Sequence, residues 1–304
     1  MARFASAFAL SCALAVVGCA GDEAAPVDPA SPGSPGKSDN PTDASQIAGR
    51  FLTYGVPLAD GCDMELGLAL DEIEIAGTGT EFTFQMEGEE VRCVLGSEGA
   101  AECSFPENPL LAAVKTTLTG TFGDENRFDG TLTTAIECEG TECDDLAEFF
   151  EDVELPCESK SQLTALRASG DTAVEDGDFS MAVSERVGEL STCKRDVMGP
   201  LPETVEVLDS DGEFFIVDDG LSDFECFVSE SGAAECERFL DVPDFDFYTY
   251  AVGSVQDDGS VVGAMAVEVD CFGSTGLCNR AAAIFGEMPC TAYHTFELAP
   301  AAQP

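Results

Sequence analysis

Gly99-Ala100-Ala101-Glu102-Cys103 returns unchanged as Gly232-Ala233-Ala234-Glu235-Cys236, 133 residues further along the chain. The same shift carries Gly120 and Gly130 onto Gly253 and Gly263, Pro156-Cys157 onto Pro289-Cys290, and Gly79 and Phe82 onto Gly212 and Phe215. Around these landmarks twelve cysteines fall into two sets of six: Cys62, Cys93, Cys103, Cys138, Cys143, Cys157, then Cys193, Cys226, Cys236, Cys271, Cys278, Cys290. Successive intervals are 31, 10, 35, 5 and 14 in the first set and 33, 10, 35, 7 and 12 in the second. Two unrelated frameworks would not agree so closely, so duplication is the simplest account. With two copies of about 120 residues each, the chain reads as tandem domains and not as a solenoid.

Within each copy the apolar residues alternate. Phe128, Leu132, Ile136 and Cys138 share one parity, as do Val261, Met265, Val269 and Cys271, which turns one face of that strand towards a core. Gly123-Asp124-Glu125-Asn126 and Gln256-Asp257-Asp258-Gly259 precede these runs as hairpin turns. Ile73 to Ile75 with Glu81 to Gln85, and Val205 to Leu208 with Phe214 to Val217, form two more hairpins, turned at Gly77-Thr78-Gly79 and Ser210-Asp211-Gly212. A final strand follows each Pro-Cys pair, at Glu158 to Leu166 and Thr291 to Leu298, and a short helix precedes it, at Asp144 to Phe150 and Asn279 to Phe285. The fold class is mainly β: two tandem antiparallel meanders, each a small barrel or a sandwich. The barrel is preferred, since an open meander leaves unpaired edges.

Cys93 and Cys103 lie five residues either side of a hairpin centred near Glu98, which makes them cross-strand neighbours within reach of a disulfide. Cys226 and Cys236 repeat the arrangement. Six cysteines allow fifteen connectivities, and of these the chosen pairing for the rest is Cys138 with Cys143, Cys62 with Cys157, Cys271 with Cys278, and Cys193 with Cys290. The last in each copy would join its first and final strands.

The chain opens with Met1-Ala2-Arg3 and an apolar run from Phe4 to Val17, a signal-peptide pattern too short to span a bilayer. The run ends in Val16-Val17-Gly18-Cys19, which resembles the lipobox of bacterial lipoproteins. That resemblance implies lipidation of Cys19 and, with Ala20 following it, transfer to the outer membrane. The ordinary secretory alternative is a cut near Ala20. Residues 1–18 are then the signal peptide and 19–45 a lipidated cysteine with a Pro, Gly, Ser and Asp tether. The first domain covers 46–168, a linker 169–178, the second domain 179–300 and a tail 301–304.

Net charge is −46 from 59 acidic and 13 basic residues. That excludes nucleic acid and anionic lipid headgroups as partners, because both need basic surface. The membrane is reached through the anchor alone, which leaves a cationic partner or divalent cations. Catalytic signals are weak. The single histidine, His294, sits on the last strand as a surface or half-buried structural residue, with Ser161 at its counterpart position. A histidine triad or a zinc knuckle is disfavoured, the second because exported thiols are oxidised. Asp209-Ser210-Asp211-Gly212-Glu213 resembles the opening of an EF-hand loop, making Asp209, Asp211 and Glu213 weak calcium candidates beside a plain hairpin turn. Asp218-Asp219, Asp241 to Asp246 and Asp257-Asp258 read as solvated loops. Phenylalanines are assigned inward, there is no tryptophan, and two of the four tyrosines stand in Phe247-Tyr248-Thr249-Tyr250, which argues against a lectin. The leading expectation is a non-enzymatic envelope lipoprotein. An apolar-ligand carrier with lipocalin-like cavities and a carboxylate-based hydrolase are the alternatives.

Overall fold

The computed structural model describes residues 40–301, except 65, 87, 107–112, 141–142, 144–145, 147–152, 169, 171–173, 185, 195–203, 211–212, 218–222 and 243. Eight antiparallel strands form the first barrel: β1 (Gly49–Asp60), β2 (Ala69–Thr78), β3 (Glu81–Met86), β4 (Glu89–Leu95), β5 (Ala100–Ser104), β6 (Val114–Asp124), β7 (Arg127–Ile136) and β8 (Cys157–Arg167). Each pairs with the next, and β8 closes on β1 through a ladder from Phe51 opposite Arg167 to Asp60 opposite Ser159. The second barrel follows the same order: β9 (Gly177–Val183), β10 (Thr204–Ser210), β11 (Glu213–Val217), β12 (Phe224–Val228), β13 (Ala233–Val242), β14 (Phe245–Val255), β15 (Val261–Cys271) and β16 (Cys290–Pro300). Here β9 pairs with both β10 and β16 to close the ring. The first strand of this barrel therefore begins at Gly177, inside the stretch read as a linker.

An eight-stranded barrel is just wide enough for its own side chains, and the paired glycines show how tight the fit is. Gly120 lies directly opposite Gly130, and Gly253 opposite Gly263. A Cβ added at Gly120 would come 2.5 Å from the Phe128 ring, and one at Gly263 2.9 Å from the Phe296 ring. The missing side chains make room for an aromatic ring in each barrel. In the first, Phe122 packs edge-on against Phe51 and Phe82, with centroids 6.4 and 6.0 Å away, and lies 5.0 Å from Phe128.

A short helix, α1 (Ala44–Ile47), caps the first barrel, with Asp43 and Gln46 forming its capping box and Ala44 and Ile47 fully buried. Arg167 fastens that end. Its guanidinium sits 4.9 Å over the Phe51 ring and donates to the carbonyls of Gln46, Ala48 and Glu125 and to Asn126 Oδ1. In the second barrel, α2 (Thr275–Phe285) lies between β15 and β16, one turn longer at its start than the expected helix. The expected first-copy helix at 144–150 lies outside the described residues, save for Leu146 in a helical position.

Six disulfides join Cys62 to Cys157, Cys93 to Cys103, Cys138 to Cys143, Cys193 to Cys290, Cys226 to Cys236 and Cys271 to Cys278; the two hairpin bridges are the ones that spacing fixes, and the other four match the chosen pairing. Cys93 and Cys103 are direct partners across β4 and β5, with Cα atoms 4.0 Å apart. Strand register corrects one correspondence. Phe82 pairs with Cys93, and it is Phe214, not Phe215, that pairs with Cys226. The constant shift of 133 therefore slips by one residue before β12.

The two barrels meet wall to wall. β1 carries seven consecutive buried residues, Phe51–Pro57, because Phe51 faces its own core while Tyr54 and Val56 pack outward. With Leu166 they meet Val252 and Ala264, and Leu70, Tyr250, Val262 and Tyr293 border the cluster. Backbone closes the joint at one edge, where the Glu189 amide donates to the Leu58 carbonyl at 2.7 Å. Gly188 beside it has φ of 74°, and a Cβ there would come 2.7 Å from the Pro57 carbonyl oxygen.

Candidate functional site

The interior of the first barrel was the obvious place for a carried ligand. It holds a cavity of about 20 Å³ lined by Ile73, Phe82, Phe84, Leu118, Phe122 and Leu163 among others, all apolar. That is about the space of one water molecule, in a site offering no polar partner to keep one. Ligand sites for small molecules run to hundreds of Å³, so this cavity has no room for a lipid.

The second barrel is less uniform inside. Met265, Phe224, Val255 and Leu298 fill it, but polar side chains, Arg238 and His294 among them, are buried there too. The Arg238 guanidinium sits 5.0 Å over the Phe224 ring. His294, expected at or near the surface, is only 1% exposed. The cause is parity: on β16 the buried positions are Cys290, Ala292, His294, Phe296 and Leu298, so the ring must point inward. Its Nδ1 lies 3.0 Å from the Ser184 carbonyl oxygen, to which it donates, and Nε2 has no partner among the described residues. A catalytic dyad gives Nδ1 to a carboxylate; here a backbone carbonyl takes that place.

No three His, Cys, Asp or Glu side chains converge as a metal site among the described residues. Of the calcium candidates, Asp211 lies outside those residues, while Asp209 and Glu213 belong to the β10 and β11 ladders. Ser210 pairs with Glu213 across the turn, so the hairpin reading holds for the backbone. Asp258 spends its carboxylate on its own turn, accepting from the Ser260 amide at 3.0 Å and hydroxyl at 2.6 Å. Those bonds hold it below the usual carboxylate range. Cys19 and the tether lie outside the described residues, as does Asp218-Asp219.

What the second barrel does present is an aromatic wall. On β12 and β13, Cys226, Ala234, Cys236 and Arg238 point inward, so Phe227, Glu235, Glu237 and Phe239 point out. Phe227 and Phe239 are 58% and 57% exposed. Register then assembles the surface in rows. Phe239 stands opposite Tyr248, which stands opposite Glu268; Glu237 stands opposite Tyr250, then Ala266 and Tyr293; Phe227 stands opposite Glu235. Directly opposed side chains lie about 5 Å apart, so rings and carboxylates alternate over one patch. The Tyr250 hydroxyl reaches Glu235 at 3.4 Å. Burial, and then the nearby Glu237 and Glu235 charges, push the Tyr248 and Tyr250 phenols up from their ordinary values. This wall corrects the expectation that the phenylalanines face inward. The cysteine parity in β12 and β13 was the available signal, since Phe227 follows Cys226 and Phe239 lies three residues beyond Cys236.

No family model matches the chain, and no curated protein matches it. Among solved structures, it is similar to a "putative outer membrane protein" of Bacteroides fragilis NCTC 9343, at 13% identity and a TM-score of 0.22, over 85% of this chain and 99% of that one. So distant a likeness carries no argument about this chain.

Proposed function

We propose that this chain is a non-enzymatic module of the cell envelope, held through a lipidated Cys19 and working through the outer walls of its two barrels. The observation that carries this reading is the exposed aromatic and carboxylate wall on β12 to β14, set beside a first barrel whose interior cavity is only water-sized. Rings as large as Phe227 and Phe239, held in water on a rigid sheet, favour a surface that is covered in use. Disulfides suit an oxidising compartment and offset the self-repulsion of a strongly acidic protein.

The test has two arms. Intact-mass measurement on the cell-derived protein should find an N-terminal lipidated Cys19, and an unmodified terminus near Ala20 would remove the anchor. Purified mature protein should neither turn over a panel of ester, peptide and glycoside substrates nor take up a lipid fluorophore stoichiometrically. Either activity, abolished by a substitution inside one barrel, would overturn the reading.

A further inference from the structure

We propose that the wall of the second barrel is the docking site for a lysine- or arginine-rich polypeptide segment, a proposal that rests on the binding role argued above and names its partner. Every strand beneath the wall is paired on both sides, so a partner cannot add a strand and must be held by side chains. The side chains on offer are of two kinds, interleaved. Phe227, Phe239 and Tyr248 present exposed ring faces, and Glu235, Glu237 and Glu268 stand next to them in the ladder. A cation over an aromatic face with a carboxylate alongside is the arrangement that holds an ammonium or guanidinium group. The methylene stems of Lys and Arg would cover the ring surface that water now touches. An anionic or purely apolar occupant would bring no charge to match these carboxylates, on a chain whose net charge is −46.

The first barrel supplies an internal comparison. By register its counterparts to Tyr248 and Tyr250 are Lys115 and Thr117, and Lys115 forms an ion pair with Glu137, the counterpart of Asp270. There the chain fills its own wall with a cation; on the second barrel the same positions carry rings and the cation must come from elsewhere.

Fluorescein-labelled octalysine is titrated into the mature protein at 0.15 M salt, where the Debye length of about 8 Å screens diffuse attraction. The charge-neutral pair Phe239→Ala with Tyr248→Ala should weaken binding about tenfold, from two exposed cation–π contacts of about 0.5–1 kcal/mol each. Glu237→Gln with Glu268→Gln should weaken it by a similar factor, whereas Glu89→Gln with Glu139→Gln on the first barrel should change it less than twofold. All six positions are exposed, and an unchanged melting midpoint verifies the fold of each variant. Because the chain has no tryptophan and three of its four tyrosines, Tyr248, Tyr250 and Tyr293, stand on this wall, native binding should also change intrinsic tyrosine emission. Binding that survives the aromatic pair, or that falls equally with the first-barrel pair, overturns the site in favour of diffuse charge attraction. No octalysine binding by the native protein, with no turnover in the substrate panel, sinks the docking site and leaves the module reading standing. Turnover with wall binding intact does the reverse.

Discussion

The two barrels share strand order, bridge positions and paired glycines, yet differ on almost every outward position of their central strands. On β6 and β7 the first barrel shows Lys115, Thr117, Thr119, Thr121, Thr131 and Thr133 to solvent, with cross-strand partners Thr117 to Thr133 and Thr119 to Thr131. At the matching places on β14 and β15 the second barrel carries Tyr248, Tyr250, Val252, Ser254, Ala264 and Ala266. Val252, Ala264 and Ser254 are at most 1% exposed, and Val252 and Ala264 form the joint with the first barrel. Inward residues answer to the barrel's width and outward ones only to what lies beyond, so the scaffold stays constant while its walls take different tasks.

The largest effect should come from what the barrels share. Replacing Cys62 and Cys157 by alanine opens a 95-residue loop, and replacing Cys193 and Cys290 one of 97. On the loop-entropy model each costs about 5 kcal/mol, against about 3 kcal/mol for the hairpin bridge Cys93 to Cys103. Denaturant titration should find the two long bridges equivalent. A large inequality would mean that the barrels are not built alike.

Next comes the interior, where they differ. Phe122→Ala removes a ring that touches three others and should cost about 3–5 kcal/mol. At its register counterpart, Val255→Ala deletes two methylene equivalents and should cost about 2 kcal/mol. Equal losses in urea unfolding would break the distinction between an aromatic and an aliphatic core.

The joint itself is probed by Val252→Asp, a carboxylate forced into the buried contact with Tyr54 and Val56. It should cost about 3 kcal/mol and split a single calorimetric transition into two. One unsplit transition would show that the barrels unfold together for some other reason.

The smallest effect is electrostatic and confined to the second wall. Since burial and then Glu237 raise the Tyr248 phenol, the folded state holds that proton more tightly than the unfolded chain does. Stability from this source is present below pH 10 and is lost as pH rises through the folded value. Glu237→Gln should shift the ultraviolet titration of Tyr248 downward without altering melting at neutral pH. No shift would place the cause in burial and the Glu268 charge.

Much of the fold was legible because cysteine spacing and period-two patterning are local signals. Cys93 and Cys103 mark a hairpin, and Phe128, Leu132 and Ile136 mark the inward face of β7. Features that depend on a neighbour were not legible. β1 lacks alternation because a second barrel buries its outer face, and nothing in Leu52-Thr53-Tyr54-Gly55-Val56 says which residue meets which wall. His294, expected as a surface or half-buried residue from its polarity, is instead placed fully inside by its parity on β16. The aromatic wall was hidden for the opposite reason, since phenylalanine was read as core although Cys226 and Cys236 already fixed which neighbours point out.

The wall-to-wall joint has one more consequence. It is head to tail: the β1 side of one barrel meets the β14 side of the next, a heterologous contact in which two different surfaces of the repeated unit meet. The first barrel's own counterpart of that β14 side carries Thr119, Thr131 and Asp129 where the second barrel carries Val252, Ala264 and Val262. Hydroxyls and a carboxylate there give that side of the first barrel a polar surface where the second barrel's matching side is apolar.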